Sequence, residues 1–128
     1  MNYKMVKKIN SDINIVKYTV DDILLKFQGC LADNTFFNTK LILNELLING
    51  VIHGNSQDKN KLLYIDVTLN NSSLIISVSD EGTGVNYRHK KFGEYDFCES
   101  GRGLTLVEGL SDKFLVDGNK VTCVQYLK

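Results

Sequence analysis

Two hydrophobic rhythms alternate along this chain. Ile13, Val16, Val20, Ile23, Phe27 and Leu31 recur at steps of three and four, which predicts an amphipathic helix with Ser11 as its N-cap and an end near Gly29. Asp33-Asn34-Thr35 reads as a turn and cap. Leu43, Leu46, Leu47 and Val51 then predict a second helix from about Phe36 to His53, stopped by the polar run Gly54 to Asp58. There the period changes to two. Leu63, Ile65, Val67 and Leu69 alternate, as do Leu74, Ile76 and Val78, around Asn70-Asn71-Ser72-Ser73; this is a β-hairpin pattern. Tyr3 to Ile9 alternates loosely and suits an edge strand. Val85 to Ser100 is polar, aromatic and without period, the pattern of a mobile segment. Gly101 opens a short helix to about Leu110, and two strands, Phe114–Val116 and Val121–Leu127, flank the turn Asp117-Gly118-Asn119.

Helices thus alternate with antiparallel hairpins. A parallel sheet would need a longer crossover between Leu69 and Leu74 than the chain has. The predicted fold is an α/β (α+β) two-layer sandwich: one mixed, mainly antiparallel sheet with helices on one face. At 128 residues and 43% hydrophobic content, residues 1–128 form one domain with a real core. Lys+Arg and Asp+Glu both number 15, a balance that argues against direct nucleic-acid binding. No apolar run reaches the length of a membrane span, and Met1 to Lys8 lacks the hydrophobic segment of a signal peptide. Cys30, Cys98 and Cys123 are widely spaced without a C-x-x-C, as expected of reduced thiols in a cytoplasmic chain with no zinc site.

Three stretches carry candidate chemistry. Glu45, Asn49 and His53 are four apart on the second helix and share a face; the carboxylate can accept a proton and the amide oxygen can ligate a hard cation. His53 there is a helix-end hydrogen-bonder or a catalytic group. Gly50 follows Asn49, either for close packing or for close approach of a ligand. Asp80-x-Gly82-x-Gly84 sits at a strand end, where a carboxylate can take a hydrogen bond from an exocyclic amine while glycines admit a flat base. Gly101-x-Gly103 opens a helix and suits an anion; Arg102 between them either touches phosphate or is solvated. Singly each is a common surface pattern, but in this order they describe a site for a magnesium nucleotide with an amino-substituted purine.

At these residues the chain resembles the Bergerat-fold (GHKL) ATPase superfamily. Glu45-x-x-x-Asn49 with His53-Gly54 matches its N box, Asp80 to Gly84 its G1 box, and Gly101 to Leu106 its G2 box. Asn-x-x-x-His-Gly and Ser100-Gly101-Arg102-Gly103-Leu104 are most similar to the anti-sigma factor serine kinases. The resemblance implies ATP and Mg²⁺ as cofactors. Asn49 would ligate Mg²⁺, Glu45 would be the general base, and Asp80 would bind the adenine amine above Gly82 and Gly84. Gly101, Arg102, Gly103 and Leu104 would wrap the phosphates beneath a lid at Val85 to Ser100. The implied partners are a sigma factor, which the chain would sequester, and an anti-anti-sigma protein, which it would phosphorylate on serine; homodimerisation is left open. Two rival readings are an ATP-binding sequestering module with little catalysis and a detached histidine-kinase catalytic domain. The chain departs from the family pattern at Gly50, where a residue such as Ala is usual. It departs again at Gly118-Asn119-Lys120, where a Gly-Thr-x turn usually helps hold the adenine, although Thr122 lies close by in sequence.

Overall fold

The computed structural model of the chain describes residues 2–82 and 99–127, with the side chains of all of these except 99–102. Its five strands are β1 (Tyr3–Asn10), β2 (Leu62–Leu69), β3 (Ser73–Ser79), β4 (Lys113–Asp117) and β5 (Lys120–Tyr126). They form one sheet in the order β1-β2-β3-β5-β4. All four ladders are antiparallel, so the parallel pairing that a mixed sheet allows is absent among the described residues. Helices α1 (Ile13–Phe27), α2 (Asp33–Asn49) and α3 (Glu99–Leu110) complete the α+β sandwich.

The two periods meet in one core. Val20, Ile23 and Phe27 of α1 and Ile42, Leu43 and Leu47 of α2 are buried with Leu63, Ile65, Val67, Leu74, Ile76 and Val78 of the sheet. Each such side chain contributes roughly 1.5–3 kcal/mol on leaving water. The helices cover only one face, because alternate strand residues point the other way. β1 is an edge strand, as its loose alternation predicts. It is anchored to α1 by the Lys7–Asp22 ion pair and the edge-on contact of Tyr3 with Phe27, ring centroids 5.4 Å apart.

Helix boundaries differ from the sequence expectation in four places. Asp12, not Ser11, caps α1: its carboxylate accepts from the Asn14 N–H at 2.9 Å. Ser11 is instead buried, held by the side chain of Asn55. The other end is as read, with Gly29 in the left-handed conformation (φ +82°) just past the cap. α2 begins at Asp33, three residues early, and its α-helical part ends at Asn49. A π-helical turn, Gly50–Gly54, follows, closed by the Asn55 N–H on the Gly50 carbonyl at 2.8 Å. A Cβ on Gly50 would stand 2.6 Å from the Leu63 Cδ2. Close packing against β2 therefore accounts for Gly50. Lastly, α3 opens at Glu99, two residues before Gly101, so Glu99 and Ser100 belong to a helix. The rest of the expected mobile segment or lid, with Gly84, lies outside the described residues.

Candidate functional site

The sheet and α2 bring the first and third stretches together. Glu45, Ile48, Asn49, Ile52 and His53 line one wall of a cavity of about 400 Å³, and Gly103 and Leu106 of α3 line the other. A side chain on Gly103 would invade it: a Cβ there would lie 2.6 Å from Glu45 Oε2 and 3.2 Å from Asn49 Nδ2. The bare Gly103 backbone thus leaves room for the ends of the Glu45 and Asn49 side chains, which would have to shift to admit a Cβ. In a helix that starts at Glu99 the N–H groups of 99–101 lack intrahelical partners, and Gly103 is already inside the hydrogen-bonded ladder. The Gly-x-Gly pattern suggested a free N–H at Gly103; the structure places this residue in the helix ladder and beside Glu45 and Asn49. Leu104 turns into the core and is 5% exposed. Gly101 lies in the first turn of α3; the Arg102 side chain is outside the description.

Asn49 has a buried Nδ2 with no hydrogen-bond partner. Such a group costs roughly 1–3 kcal/mol, and a half-turn of the amide exchanges its N and O. The oxygen can therefore be offered to a hard cation. A magnesium ion bound with a nucleotide takes only one or two protein oxygens and draws the rest from phosphate and water. The residues present fit that group.

Asp80 and Gly82 are not in this wall. They are joined to it by the π-helical turn, whose His53 lines the cavity and whose Gly54 lies against Asp80. A Cβ on Gly54 would overlap the Asp80 carboxylate, and one on Gly82 would overlap the Gly54 carbonyl. Gly54 thus lies hard against the Asp80 side chain, and Gly82 against the Gly54 backbone. Asp80 is 7% exposed and in step with Ile76 and Val78, so it faces the helices. Its Oδ1 accepts from the Gly82 N–H at 2.8 Å. Thr122 lies on the opposite face, its hydroxyl 3.0 Å from that of Ser77, and cannot replace the missing turn threonine.

Two residues that carry this loop have no sequence signal of their own. Asn55, fully buried in a stretch that reads as polar loop, accepts from the Glu81 N–H at 2.7 Å and donates to Ser11 Oγ at 2.5 Å and the Leu62 carbonyl at 3.0 Å. It ties the ends of β1 and β2 to the loop after β3. Asn119 holds Asp80 from the β4–β5 turn: the Asp80 N–H donates to the Asn119 carbonyl at 3.1 Å, and Asn119 Nδ2 donates to the Asp80 carbonyl at 2.5 Å.

Burial pushes the Asp80 carboxyl above its ordinary range, against the opposing pulls of the Gly82 N–H and the Lys61 charge. A raised folded-state value favours the folded chain at low pH, and that advantage is lost as pH rises through it. Asp80→Asn should therefore melt higher than the parent protein at pH 7. The gap should close below about pH 4, where both side chains are neutral in both states. Thermal melts of the two proteins from pH 3 to 8 measure this; a lower-melting variant at pH 7 would contradict the burial argument.

Among the described residues no helix is long and apolar enough to cross a membrane. A family model described as the histidine kinase-like ATPase domain matches residues 19–127. The chain is similar to the anti-sigma F factor of Geobacillus sp. (strain WCH70), with 33% identity over 96 residues, 70% of this chain and 65% of that protein. It is 31% identical over 115 residues to the anti-sigma F factor of Priestia megaterium, 85% of this chain and 77% of that one. For the Bacillus subtilis (strain 168) anti-sigma F factor the figures are 29% over 116 residues, 87% and 78%. The match thus spans just under two thirds of the Geobacillus relative.

Proposed function

The chain belongs to the histidine kinase-like ATPase family, in its anti-sigma factor branch, and from that premise we propose that it is a cytoplasmic ATP-dependent serine kinase that also sequesters a sigma factor. The observation that carries this reading is the meeting of Glu45, Asn49 and Gly103: a carboxylate and an unpaired buried amide, opened to a ligand by one missing side chain. A pure binding module needs no base, and Glu45 supplies one at the cavity wall.

Asn49 would hold Mg²⁺, with the phosphates of ATP running between α2 and the first turn of α3. Bound there, the ion would supply charge to the phosphoryl oxygens. Glu45 takes the proton of a serine hydroxyl on an anti-anti-sigma partner. The serine oxygen bonds to the γ-phosphorus as the bond to the β-phosphate oxygen breaks, and ADP leaves with that electron pair. Asp80 accepts from the 6-amino group of adenine; guanine has a carbonyl there and would set two acceptors face to face.

The test uses the full chain with partners that co-purify with it, identified by mass spectrometry. Mg–ATP labelled at the γ-phosphate should transfer label to serine on one partner, and ATP should outcompete GTP for the site. ATP-dependent capture of a partner with no transfer would replace the kinase by a sequestering module. Equal competition by GTP would remove Asp80 from the adenine site.

A further inference from the structure

We propose that Asn119 is a positioning residue that sets the base selectivity of Asp80, in place of the turn threonine this chain lacks. The inference rests on the reading of Asp80 as the acceptor of the adenine amine.

The geometry is that of a sheet ladder carried one step too far. Ser79 and Lys120 are the last paired residues of β3 and β5. At the next step the Asp80 N–H donates to the Asn119 carbonyl, as a continued ladder would have it. The returning bond comes from the Asn119 side chain: Nδ2 donates to the Asp80 carbonyl. One residue thereby grips both backbone groups of Asp80. Gly118, left-handed at φ +61°, lets the two-residue turn place Asn119 there. On the far side the Glu81 N–H is held by Asn55 and the Gly82 N–H by Asp80 itself. The peptide planes on both sides of Asp80 are therefore fixed, and with them the direction of its carboxylate. A carboxylate that must meet one amine hydrogen needs that direction more than a merely folded loop does, because hydrogen bonds weaken steeply off axis. Of the two asparagines, Asn55 is fully buried and spans three other segments, whereas Asn119 is half-buried and grips Asp80 at the edge of the site. Asn119 can be changed without emptying the core.

The experiment compares ATP with inosine triphosphate, which carries an oxygen in place of the 6-amino group. Each displaces a fluorescent ATP analogue from the full chain in Mg²⁺. Asn119→Asp has the same shape and loses the donor; Asn119→Ser keeps a shorter donor. The parent protein should prefer ATP. Asn119→Asp should bind ATP about tenfold more weakly and inosine triphosphate nearly as before, collapsing the preference, and Asn119→Ser should recover part of it. An equal loss for both nucleotides, in either variant, would mean that Asn119 only supports the fold and would overturn the proposal, as would an undiminished preference in both variants. If Asn119→Asp does not fold, the Asn119→Ser preference decides alone, expected between one and the parent value. A parent protein with no preference would instead remove the adenine role of Asp80, and this inference with it.

Discussion

Replacing Glu45 by glutamine should slow phosphoryl transfer by roughly 10²–10⁴-fold, about 3–5 kcal/mol of barrier, while ATP binds as tightly as before. The change keeps the length of the side chain and its helix propensity, so α2 and the approach of Gly103 are undisturbed. What is lost is the oxygen that can accept a proton. Glu45 needs to meet the attacking hydroxyl in the transition state and has no need of the nucleotide in the ground state, so kcat falls and nucleotide affinity does not. Single-turnover transfer of the γ-phosphate to the co-purified partner, beside ATP titration of the same variant, reads both quantities. Transfer at the parent rate would show that Glu45 is not the base.

Asn49→Ala should have opposite effects on stability and binding. Its buried Nδ2 lacks a partner, and removing an unsatisfied group relieves a desolvation cost. Alanine is also the better helix former. The nucleotide-free variant should gain on the order of 1 kcal/mol and melt a few degrees higher. Without the amide oxygen, Mg-dependent ATP affinity should fall by at least about tenfold. Melting curves without nucleotide and ATP titrations with and without Mg²⁺ separate the two effects. A variant that melts much lower would make Asn49 a structural residue.

What the sequence revealed and what it hid divide along physical lines. Periodicity found the helices and the hairpins because the core-facing residues, such as Val20 with Ile23 or Ile65 with Val67, are set by local geometry. Caps and junctions depend on partners distant in sequence. Ser11 has the chemistry of a cap, but Asn55, 44 positions away, claims its hydroxyl. The end of α2 reads as plain helix; nothing local reveals the π-helical turn there, or that Leu63 occupies the space beside Gly50. The early start of α3 changes the meaning of Gly103, whose spacing suggested an anion-binding N–H and whose contacts are with Glu45 and Asn49. Thr122 follows the Gly118-Asn119-Lys120 turn closely in sequence, but strand parity sets it on the face away from Asp80.

The topology of the sheet also orders the assembly of the site in time. The β2–β3 and β4–β5 ladders are hairpins across short turns, which close in microseconds. The other two ladders join distant chain segments, Tyr3 to Leu69 and Ser73 to Tyr126, and must overcome the loop entropy of everything between. Asp80 ends one hairpin and Asn119 turns the other. Their grip exists only after β3 and β5 have zipped together, and the Ser11–Asn55 link only after β1 has returned to the sheet. A nascent chain that has released its two hairpins separately has every motif residue but not the Asn119 grip on Asp80, so on the proposed function competence for nucleotide arrives with the slow, long-range step of folding.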